Sequence, residues 1–581
     1  MQRANKGFTL LEILLVIAAI GILAAIVLIA INPNKQIEAA REAKRKSDQN
    51  AIAKAIQQYI IEKGVYPPKL QEVGVGGTVG LCVVAGCSDG IDLSSALSDY
   101  ISSIPIPDRG QYLVTKTANG VSTGYDNSNI WATAGSIEPT LDLNFARDKQ
   151  LTNAVTGTNP ITFTRGSIGT YTGSDGLLKT AVANEPRFDH NPVTRESLGL
   201  LVEEQRTNFM LNSGGISPNT ILGTGSVIGP DGVNCRTLIP NAGSHSFPGI
   251  GGPLQSFTIS AGQTIDYAFS GWVAAGPTGA GPLEPRFVFG ITVNGNTSPV
   301  YAELQINTSN MTVRSKSAGP GITDVSAPTV TLYSPGLYRF TWVIRYTQDA
   351  TGRNTIGAGI QLRTTGGIGT YIADGVSGVQ YALLQAEVGS AVSSTIPTTT
   401  AAATRSADVA SITGTNLSSW YNQPAGSVYA EFSPAFQGSA SATFGNPGVW
   451  GATQNSLGSF NGYGIRLVPN SPFNDSINGI SRYAPGAFNN QVSIGLGAYL
   501  NTGQNYKTMF AWEGSGIAGS SQGQTAITNT NPAASAMGTH DQFYLGRQNV
   551  GGTPTQLNGH IRRLTYWKTR LSNTTLQSLT Q

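Results

Sequence analysis

The stretch Gly7-Phe8-Thr9-Leu10-Leu11-Glu12, with the apolar run 13–31 behind it, decides the fold of the amino-terminal part of the chain. The run contains no charged or amide side chain, and its length is close to the roughly 20 residues that a helix needs to cross ~30 Å of hydrocarbon. Glu12 stands at the edge of this run, where a carboxylate is costly unless it is paired. The sequence therefore predicts a membrane-spanning helix whose acid needs a partner.

Two simpler interpretations of this stretch are open. A secretory signal peptide would share the basic start, Arg3 and Lys6, but its apolar core is shorter and its small residue follows that core. Here Gly7 precedes the apolar run. A plain membrane anchor with Glu12 in the headgroup layer is the other alternative, and it leaves the string from Gly7 to Glu12 unexplained. Charge alone does not settle orientation, because several Lys and Arg residues also follow the run.

The stretch resembles the amino terminus of type IV prepilins, which have a short basic leader ending in Gly, then Phe-Thr-Leu-Leu-Glu, then a long apolar helix. The resemblance implies that residues 1–7 are a leader ending at Gly7, and that a prepilin peptidase cuts before Phe8 and methylates its new amine. It also implies that Glu12 pairs with the Phe8 amine of a neighbouring subunit. A carboxylate and an ammonium in the membrane are each costly alone, so their pairing would set subunit register.

The same resemblance names partners and a location. The partners would be the prepilin peptidase, other pilin subunits, the pilus assembly machinery and the membrane. The precursor would lie in the cytoplasmic membrane by a single helix, and the mature protein would reach the cell surface in an extracellular pilus.

A second helical pattern follows the first. Small and apolar side chains recur at helical spacing from Gln36 to Lys63, and Gly64 with Pro67 ends the pattern. Pilins have one long helix that is half membrane span and half support for a globular head. We therefore expect residues 8–66 to form the membrane and assembly helix and residues 67–138 to form a small head.

The three cysteines are Cys82, Cys87 and Cys235. Cys82 and Cys87 are close enough in sequence to close a small loop in an oxidising compartment, and a disulfide in the head is common among pilins. We take this pair as a disulfide candidate. Cys235 has no evident partner, and the simplest interpretation is a small buried apolar side chain.

Composition limits the remaining possibilities. At 581 residues the chain is too long for one ordinary core, so we expect several folded units. Charged residues make up only 12% and glycines number 71, which is typical of a β-rich exported protein. A net charge of +3 predicts no nucleic-acid partner.

Beyond Pro139 the pattern changes to short alternating strands separated by Gly, Asn, Ser and Pro turns, with no helix before the last ten residues. The predicted fold class is α+β and multidomain: a long pilin helix with a small head, followed by mainly antiparallel β-sandwiches of jelly-roll kind. We expect a β-rich connector at 139–212, a carbohydrate-binding-like sandwich at 213–402 and a concanavalin A-like or laminin-G-like sandwich at 403–581.

Three strings in this region are similar to phage tail and surface-fibre proteins that carry concanavalin A-like or carbohydrate-binding sandwiches. They run from Pro186 to Asn208, from Gln385 to Asp408, and from Gly559 to Ser572. The third looks like the last strand and closing helix of a laminin-G domain. The strings indicate architecture more than ligand.

Concanavalin A-like folds also host glycosidases, and retaining sugar cleavage uses two carboxylates about 5 Å apart. No Glu-x-Asp-x-Glu string occurs, and the adjacent Glu203 and Glu204 would point to opposite faces of a strand. The four histidines are scattered without metal-ligand spacing. We therefore predict no enzymatic activity, no cofactor and no metal, although acidic loops are compatible with a structural calcium ion.

Aromatic side chains with amide neighbours remain, and these are the usual elements of sugar recognition. We predict carbohydrate binding at Trp420, Tyr421 and Asn422, which lie between turn-like segments. The preferred hypothesis is a minor or tip pilin-like subunit whose lectin-like sandwiches adhere to glycans or surfaces. The alternatives are a secretion pseudopilin, a membrane-tethered polysaccharide-processing enzyme, and a purely structural fibre subunit.

Overall fold

The computed structural model describes a large part of the chain, in two compact units, Met1–Asn129 and Ile130–Gln581. The described residues are 33–73, 78–82, 91–105, 111–117, 120–126, 137–211, 220–246, 248–251, 255–292, 299–435, 447–454, 462–468, 476–482, 491–496, 501, 503–532, 537–550 and 553–581.

The first unit is a long helix against a small sheet. Its helices are α1 (Pro33–Lys63) and α2 (Pro68–Gln71), and its strands are β1 (Thr78–Cys82), β2 (Ile91–Asp92), β3 (Gln111–Thr117) and β4 (Gly120–Asp126). The strand order is β2-β1-β3-β4, with only the β1–β2 pair parallel. As predicted, α1 ends before Gly64, whose φ of 69° is readily adopted only by glycine.

One face of α1 packs on this sheet. Ile52 and Ile56 are fully buried with Val114 of β3. Two polar contacts fix the helix position: the Tyr112 hydroxyl donates to Asp48 Oδ2 at 2.6 Å, and Thr123 Oγ1 donates to the carbonyl of Gln49 at 3.1 Å. The amphipathic pattern of the sequence is thereby explained by a helix that covers a sheet. Among the described helices, none is long and apolar enough to span a membrane, and the predicted span lies outside the described residues.

The described residues of the second unit form β-strands and three short helices, and these elements follow in chain order. The first group is β5 (Leu141–Asn144), α3 (Phe145–Asp148), β6 (Thr162–Thr164), β7 (Gly169–Thr172), β8 (Leu178–Ala181), β9 (Phe188–His190), β10 (Ser197–Val202) and β11 (Arg206–Asn208). The second group is β12 (Thr220–Ile228), β13 (Asn234–Pro240), β14 (Gly243–Ser246), β15 (Gly249–Gly251), β16 (Gln255–Ser256), β17 (Thr264–Ala275), β18 (Leu283–Thr292), β19 (Val300–Asn307), β20 (Thr312–Ala318), β21 (Ile322–Ser334), β22 (Leu337–Thr347), β23 (Thr355–Thr364), β24 (Thr370–Ala373) and β25 (Val379–Val388). The third group is β26 (Ala403–Arg405), β27 (Val409–Thr413), α4 (Thr415–Ser418), β28 (Ala425–Pro434), β29 (Gly448–Thr453), β30 (Gly462–Val468), β31 (Ser476–Arg482), β32 (Gln491–Gly495), β33 (Tyr506–Glu513), β34 (Gly516–Ser521), β35 (Ile527–Thr530), β36 (Gln542–Leu545), β37 (Arg547–Val550), β38 (Thr553–Gln556), β39 (Gly559–Trp567) and α5 (Asn573–Leu579).

The first sandwich packs two six-stranded sheets face to face. One has the order β12-β13-β25-β17-β22-β21, and the other contains β15-β23-β18-β19-β20 with β16 also on β23. All described strand pairs in both sheets are antiparallel. Phe269 and Trp342 of the first sheet share a buried cluster with Phe289 and Ile360 of the second.

The second sandwich packs a sheet of order β35-β34-β33-β28-β39-β10-β9, with β5 also on β39, against one of order β32-β31-β30-β29-β36-β27-β6. Val428 and Leu564 of the first sheet share their buried cluster with Trp450 and Phe543 of the second. The expected closing strand and helix are present as β39 and α5, and Ser572 caps the helix by accepting from the Thr575 amide. The prediction of mainly antiparallel sandwiches is confirmed for the described residues.

Residues 139–212, which were expected to form a separate connector, contribute strands to the second sandwich. Leu141–Asn144 pair with residues 563–566, and Leu200–Val202 pair with residues 559–561 of the same strand, β39. Residues 162–164 likewise join the opposite sheet beside β27. This segment therefore completes the second sandwich, and the first sandwich is inserted between β11 and β26, which pair with each other.

Candidate functional site

The predicted sugar-binding trio does not form an exposed aromatic platform. Trp420 is only 3% exposed, and its ring lies edge-on to Tyr566 and Phe543 at centroid distances of 5.1 and 5.3 Å. A side chain buried in this way offers no face for a sugar ring to stack on. The sequence pattern was misleading because a tryptophan beside a turn can close a core as readily as it can line a surface.

The other two members of the trio have structural roles. The Tyr421 hydroxyl and His540 Nδ1 share a hydrogen bond of 2.7 Å. Asn422 Nδ2 donates to the carbonyls of Ala425 and Lys568 at 3.0 and 2.8 Å, and so closes the turn before β28. Burial lowers the pKa of His540 to about 3, so this ring is neutral at physiological pH.

The first two of the three sequence strings meet in a buried ionic cluster at the junction of the sandwiches, which we call the seam. Arg187 and Glu203 come from the first string, and Arg405 and Asp408 from the second. Arg187 Nη2 lies 2.8 Å from Glu203 Oε2 and also contacts Asp408 Oδ2. Arg405 Nη1 donates to Glu203 Oε2 at 2.6 Å. Arg165 adds a third guanidinium, 3.1 Å from Asp408 Oδ1.

The seam is buried and combines three guanidinium groups with two carboxylates. The side chains of Arg165, Arg187 and Asp408 have no exposed surface. Burial alone would raise the pKa of Glu203, but the charges of Arg405 and Arg187 and hydrogen bonds from Ser394 outweigh it and hold that pKa well below its usual range. The Glu203 carboxylate is therefore ionised and occupied by these partners, and it is too deeply buried for a substrate to reach. Glu203 is thus a structural ion-pair residue and not a catalytic acid.

A second set of buried polar residues ties the inserted sandwich to this seam. Asn208 Nδ2 donates to the carbonyls of Leu384 and Ile396 at 3.1 and 2.8 Å. Glu387 accepts from the amide and hydroxyl of Ser393 at 2.8 and 2.7 Å. These roles were not predicted, although charged and amide residues inside otherwise apolar strand strings were a signal that could have revealed them.

Among the described residues of the second unit, cavities with the size of a small-ligand site include the two that follow. The Trp420 cavity, of about 380 Å³, is lined by Asn153, Thr156, Asn416 and Trp420 among others. The Trp420 Nε1 at its wall is buried and has no hydrogen-bond partner within the described residues. Trp420 thus borders a cavity even though it is no platform.

The Tyr267 cavity, of about 370 Å³, lies beside the seam. It is lined by Phe209, Phe257 and Tyr267, with Glu204 and Arg206 among its polar groups. The Tyr267 hydroxyl is buried and, in the part of the chain that the structure describes, accepts and donates no hydrogen bond. An aromatic wall with a few polar groups is the usual composition of a small-molecule site.

The structure describes only some of the other predicted site residues. Gly7, Phe8, Glu12 and Cys87 lie outside the described residues, so the Cys82–Cys87 disulfide stays a prediction. Cys235 is a buried free thiol, as predicted, and burial raises its pKa to about 11. Among the described residues, no three His, Cys, Asp or Glu side chains are grouped to hold a metal ion.

Comparison with known proteins bears first on the amino terminus. Residues 2–28 match the family model of the prokaryotic N-terminal methylation motif. The chain carries a pilin-type methylation motif. It is 38% identical over 81 residues to the fimbrial protein EcpC of Eikenella corrodens, covering 14% of this chain and 50% of that protein. It is also 38% identical over 74 residues to the type II secretion system core protein G of Dickeya chrysanthemi, covering 13% and 47%. The chain therefore spans about half the length of these two relatives.

Solved structures similar to this chain include lectin-like sandwiches. The CBM40 of the Ruminococcus gnavus IT-sialidase bound to α2,3-sialyllactose is 13% identical and has a TM-score of 0.23, covering 28% of this chain and 86% of its own. Domains LG4-5 of the mouse laminin α1 chain are 12% identical with a TM-score of 0.19, covering 58% and 92%. Scores this low carry no argument about ligand.

Proposed function

We propose that this methylation-motif protein is a pilin-like subunit that assembles through its amino-terminal helix and displays lectin-like sandwiches for adhesion to glycans or surfaces. The match of residues 2–28 to the methylation motif is the observation that carries this proposal. The helix-and-sheet unit after it, and the similarity to a fimbrial protein, support it. In this proposal the precursor is a membrane protein and the mature chain belongs to a surface filament.

The proposal assigns three processing and assembly residues. A prepilin peptidase cuts between Gly7 and Phe8 and methylates the Phe8 amine. Glu12 then neutralises that amine on a neighbouring subunit, because an isolated charge of either sign is costly in a membrane. Two sandwiches on each subunit would crowd a filament built from this chain alone, so we assign it a minor or tip position.

Sequencing the mature amino terminus tests the processing step. We expect N-methylated Phe8 as the first residue of protein recovered from sheared filaments. For assembly, Glu12→Ala should remove the protein from filaments, whereas Thr9→Ala, which keeps the carboxylate, should not. Recovery of Met1, or normal incorporation of the Glu12→Ala protein, would contradict the proposal.

A second candidate function is that of a secretion pseudopilin, which the similarity to the type II secretion core protein G favours. Deleting the gene separates the two. Loss of surface adhesion with normal protein secretion supports the adhesin, and a general secretion defect supports the pseudopilin. Glycan hydrolysis by the purified protein would point instead to a processing enzyme.

A further inference from the structure

The Tyr267 cavity lies at the neck where the inserted sandwich leaves the second one. Its walls come from β11, which pairs with β26 at this neck, and from strands of the first sandwich. We propose that this cavity binds one neutral saccharide unit of a glycan. The inference rests on the proposed adhesive function and names the site and the ligand class for it.

The apolar wall fits the C–H face of a sugar. Phe257 is half-buried, so part of its ring is open to a ligand, and it lies edge-on to the buried Tyr267 at a ring-centroid distance of 6.1 Å. Ile356 and Val388 extend the apolar lining. Sugar rings present C–H groups on one face and hydroxyls at the edge, so an aromatic wall with polar groups beside it matches both parts.

The Tyr267 hydroxyl is a hydrogen-bonding group that a ligand could satisfy. The residue is 1% exposed, and its hydroxyl lacks a hydrogen-bond partner among the described residues. Leaving a buried hydroxyl unpaired is unfavourable, and a saccharide hydroxyl is able to donate to it or accept from it. Burial raises the pKa of Tyr267, so the group stays an uncharged phenol.

The polar side of the cavity indicates a neutral ligand. Arg206 Nη2 contacts Glu204 Oε1, so the two charges of the lining already offset each other. The Arg206 guanidinium is also held by the carbonyl of Val388. Capturing an acidic sugar would require an uncompensated cation, which this pair does not supply. The pair, with the Thr207 and Ser256 side chains, is suited to hydrogen-bonding uncharged hydroxyls.

Size is consistent with this assignment. A cavity of about 370 Å³ is at the small end of the range for ligand sites, roughly 300–1,000 Å³, which is suited to a mono- or disaccharide. Because β11 continues from the seam, which holds Glu203 and Arg405 fully buried, the position of the polar side is fixed before a ligand arrives.

Glycan-array binding followed by calorimetry of the full-length protein in detergent tests the site. The probes are galactose, N-acetylglucosamine and lactose, with sialyllactose as the acidic comparison. We expect a neutral sugar to bind and Tyr267→Phe, which removes one hydroxyl, to weaken it at least tenfold. Tyr381→Phe is the matched control, because Tyr381 is equally buried in the same sandwich and does not line the cavity. Melting curves verify that both variants fold.

The outcomes separate the site from the function. Unchanged affinity in Tyr267→Phe, or an equal loss in Tyr381→Phe, overturns the cavity assignment. If binding is lost only in Trp420→Phe, which removes the indole N–H, the ligand site is the Trp420 cavity. That result overturns the Tyr267 assignment but not the proposed adhesive function. A preference for sialyllactose overturns the neutral-ligand inference. Absence of glycan binding by the unaltered protein overturns glycan adhesion itself.

Discussion

His540 is 6% exposed, and its ring hydrogen-bonds Tyr421 inside the second sandwich. A histidine kept neutral by burial resists protonation in the folded state and accepts a proton in the unfolded state. The buried His540 therefore lowers the free energy of unfolding only when the pH falls. This makes the second sandwich sensitive to mild acid.

We expect the thermal stability of the protein to fall between pH 7 and pH 5. Burial lowers the pKa of His540 in the folded protein to about 3 from its ordinary value of 6.5, so stability is lost as the pH falls below about 6.5. The free-energy loss by pH 5 should be roughly 2 kcal/mol. His540→Phe should reduce the difference between melting temperatures at the two pH values, and His245→Phe serves as the control. Burial also lowers the pKa of His190, so part of the dependence should remain. An unchanged difference in His540→Phe would contradict this account.

At the scale of elements, β39 is the strand on which the second sandwich depends. One of its edges pairs with β28 over its whole length, and the other pairs in succession with β10 and β5. Arg563 on this strand donates from Nε and Nη2 to the two carboxylate oxygens of Asp142 on β5, both at 2.9 Å, and Thr565 Oγ1 donates to the same group at 2.8 Å. The ion pair fixes the register of a four-residue strand.

Removing Asp142 alone should lower the free energy of unfolding more than removing both Asp142 and Arg563. Asp142→Ala leaves the Arg563 guanidinium buried without its carboxylate, and we expect a loss of about 3–5 kcal/mol in the free energy of unfolding. The double variant Asp142→Ala/Arg563→Leu should recover part of that loss. Chemical denaturation measures both free energies of unfolding, and equal values for the single and double variants would contradict the expected recovery.

Sequence reasoning succeeded where the signal is local. The string from Gly559 to Ser572, by its similarity to the end of a laminin-G domain, predicted a last strand and a closing helix, and β39 and α5 lie there. It failed where the signal is not local: no pattern shows that residues 141–144 pair with a strand about four hundred positions later. The burial of Trp420 has the same cause, because its neighbours Phe543 and Tyr566 are distant in sequence.

At the scale of the whole molecule, the second unit is one sandwich inserted into another. Thr207 lies opposite Thr404 and Asn208 lies opposite Ala403, so the two chain crossings are hydrogen-bonded neighbours. The seam of Arg165, Glu203 and Asp408 then joins segments from before and after the insertion. Both sandwiches are thereby held in a fixed relation at the neck, as a rigid wall for the Tyr267 cavity requires.

Two deletions distinguish this arrangement from a chain of consecutive domains. Replacing residues 212–401 with a short Gly-Ser linker should leave the second sandwich folded, although less stable, because Ser394 no longer donates to Glu203. Deleting residues 140–202 should unfold it, because β39 loses the partners on one of its edges. Circular dichroism and limited proteolysis measure both. Independent folding of residues 403–581 alone would contradict the arrangement.

The pairing of Asp142 with Arg563, 421 positions apart, also constrains the order of events during biosynthesis. If the chain is exported from its amino terminus, β5 and the edge of β10 that faces away from β9 emerge early and stay unpaired until β39 follows. Early folding of the inserted sandwich would bring Asn208 and Ala403 together and so shorten the effective loop that remains to be closed. Exposed strand edges during this interval are prone to aggregation, so the time that passes before β39 follows should limit the yield of native protein more than its final stability does.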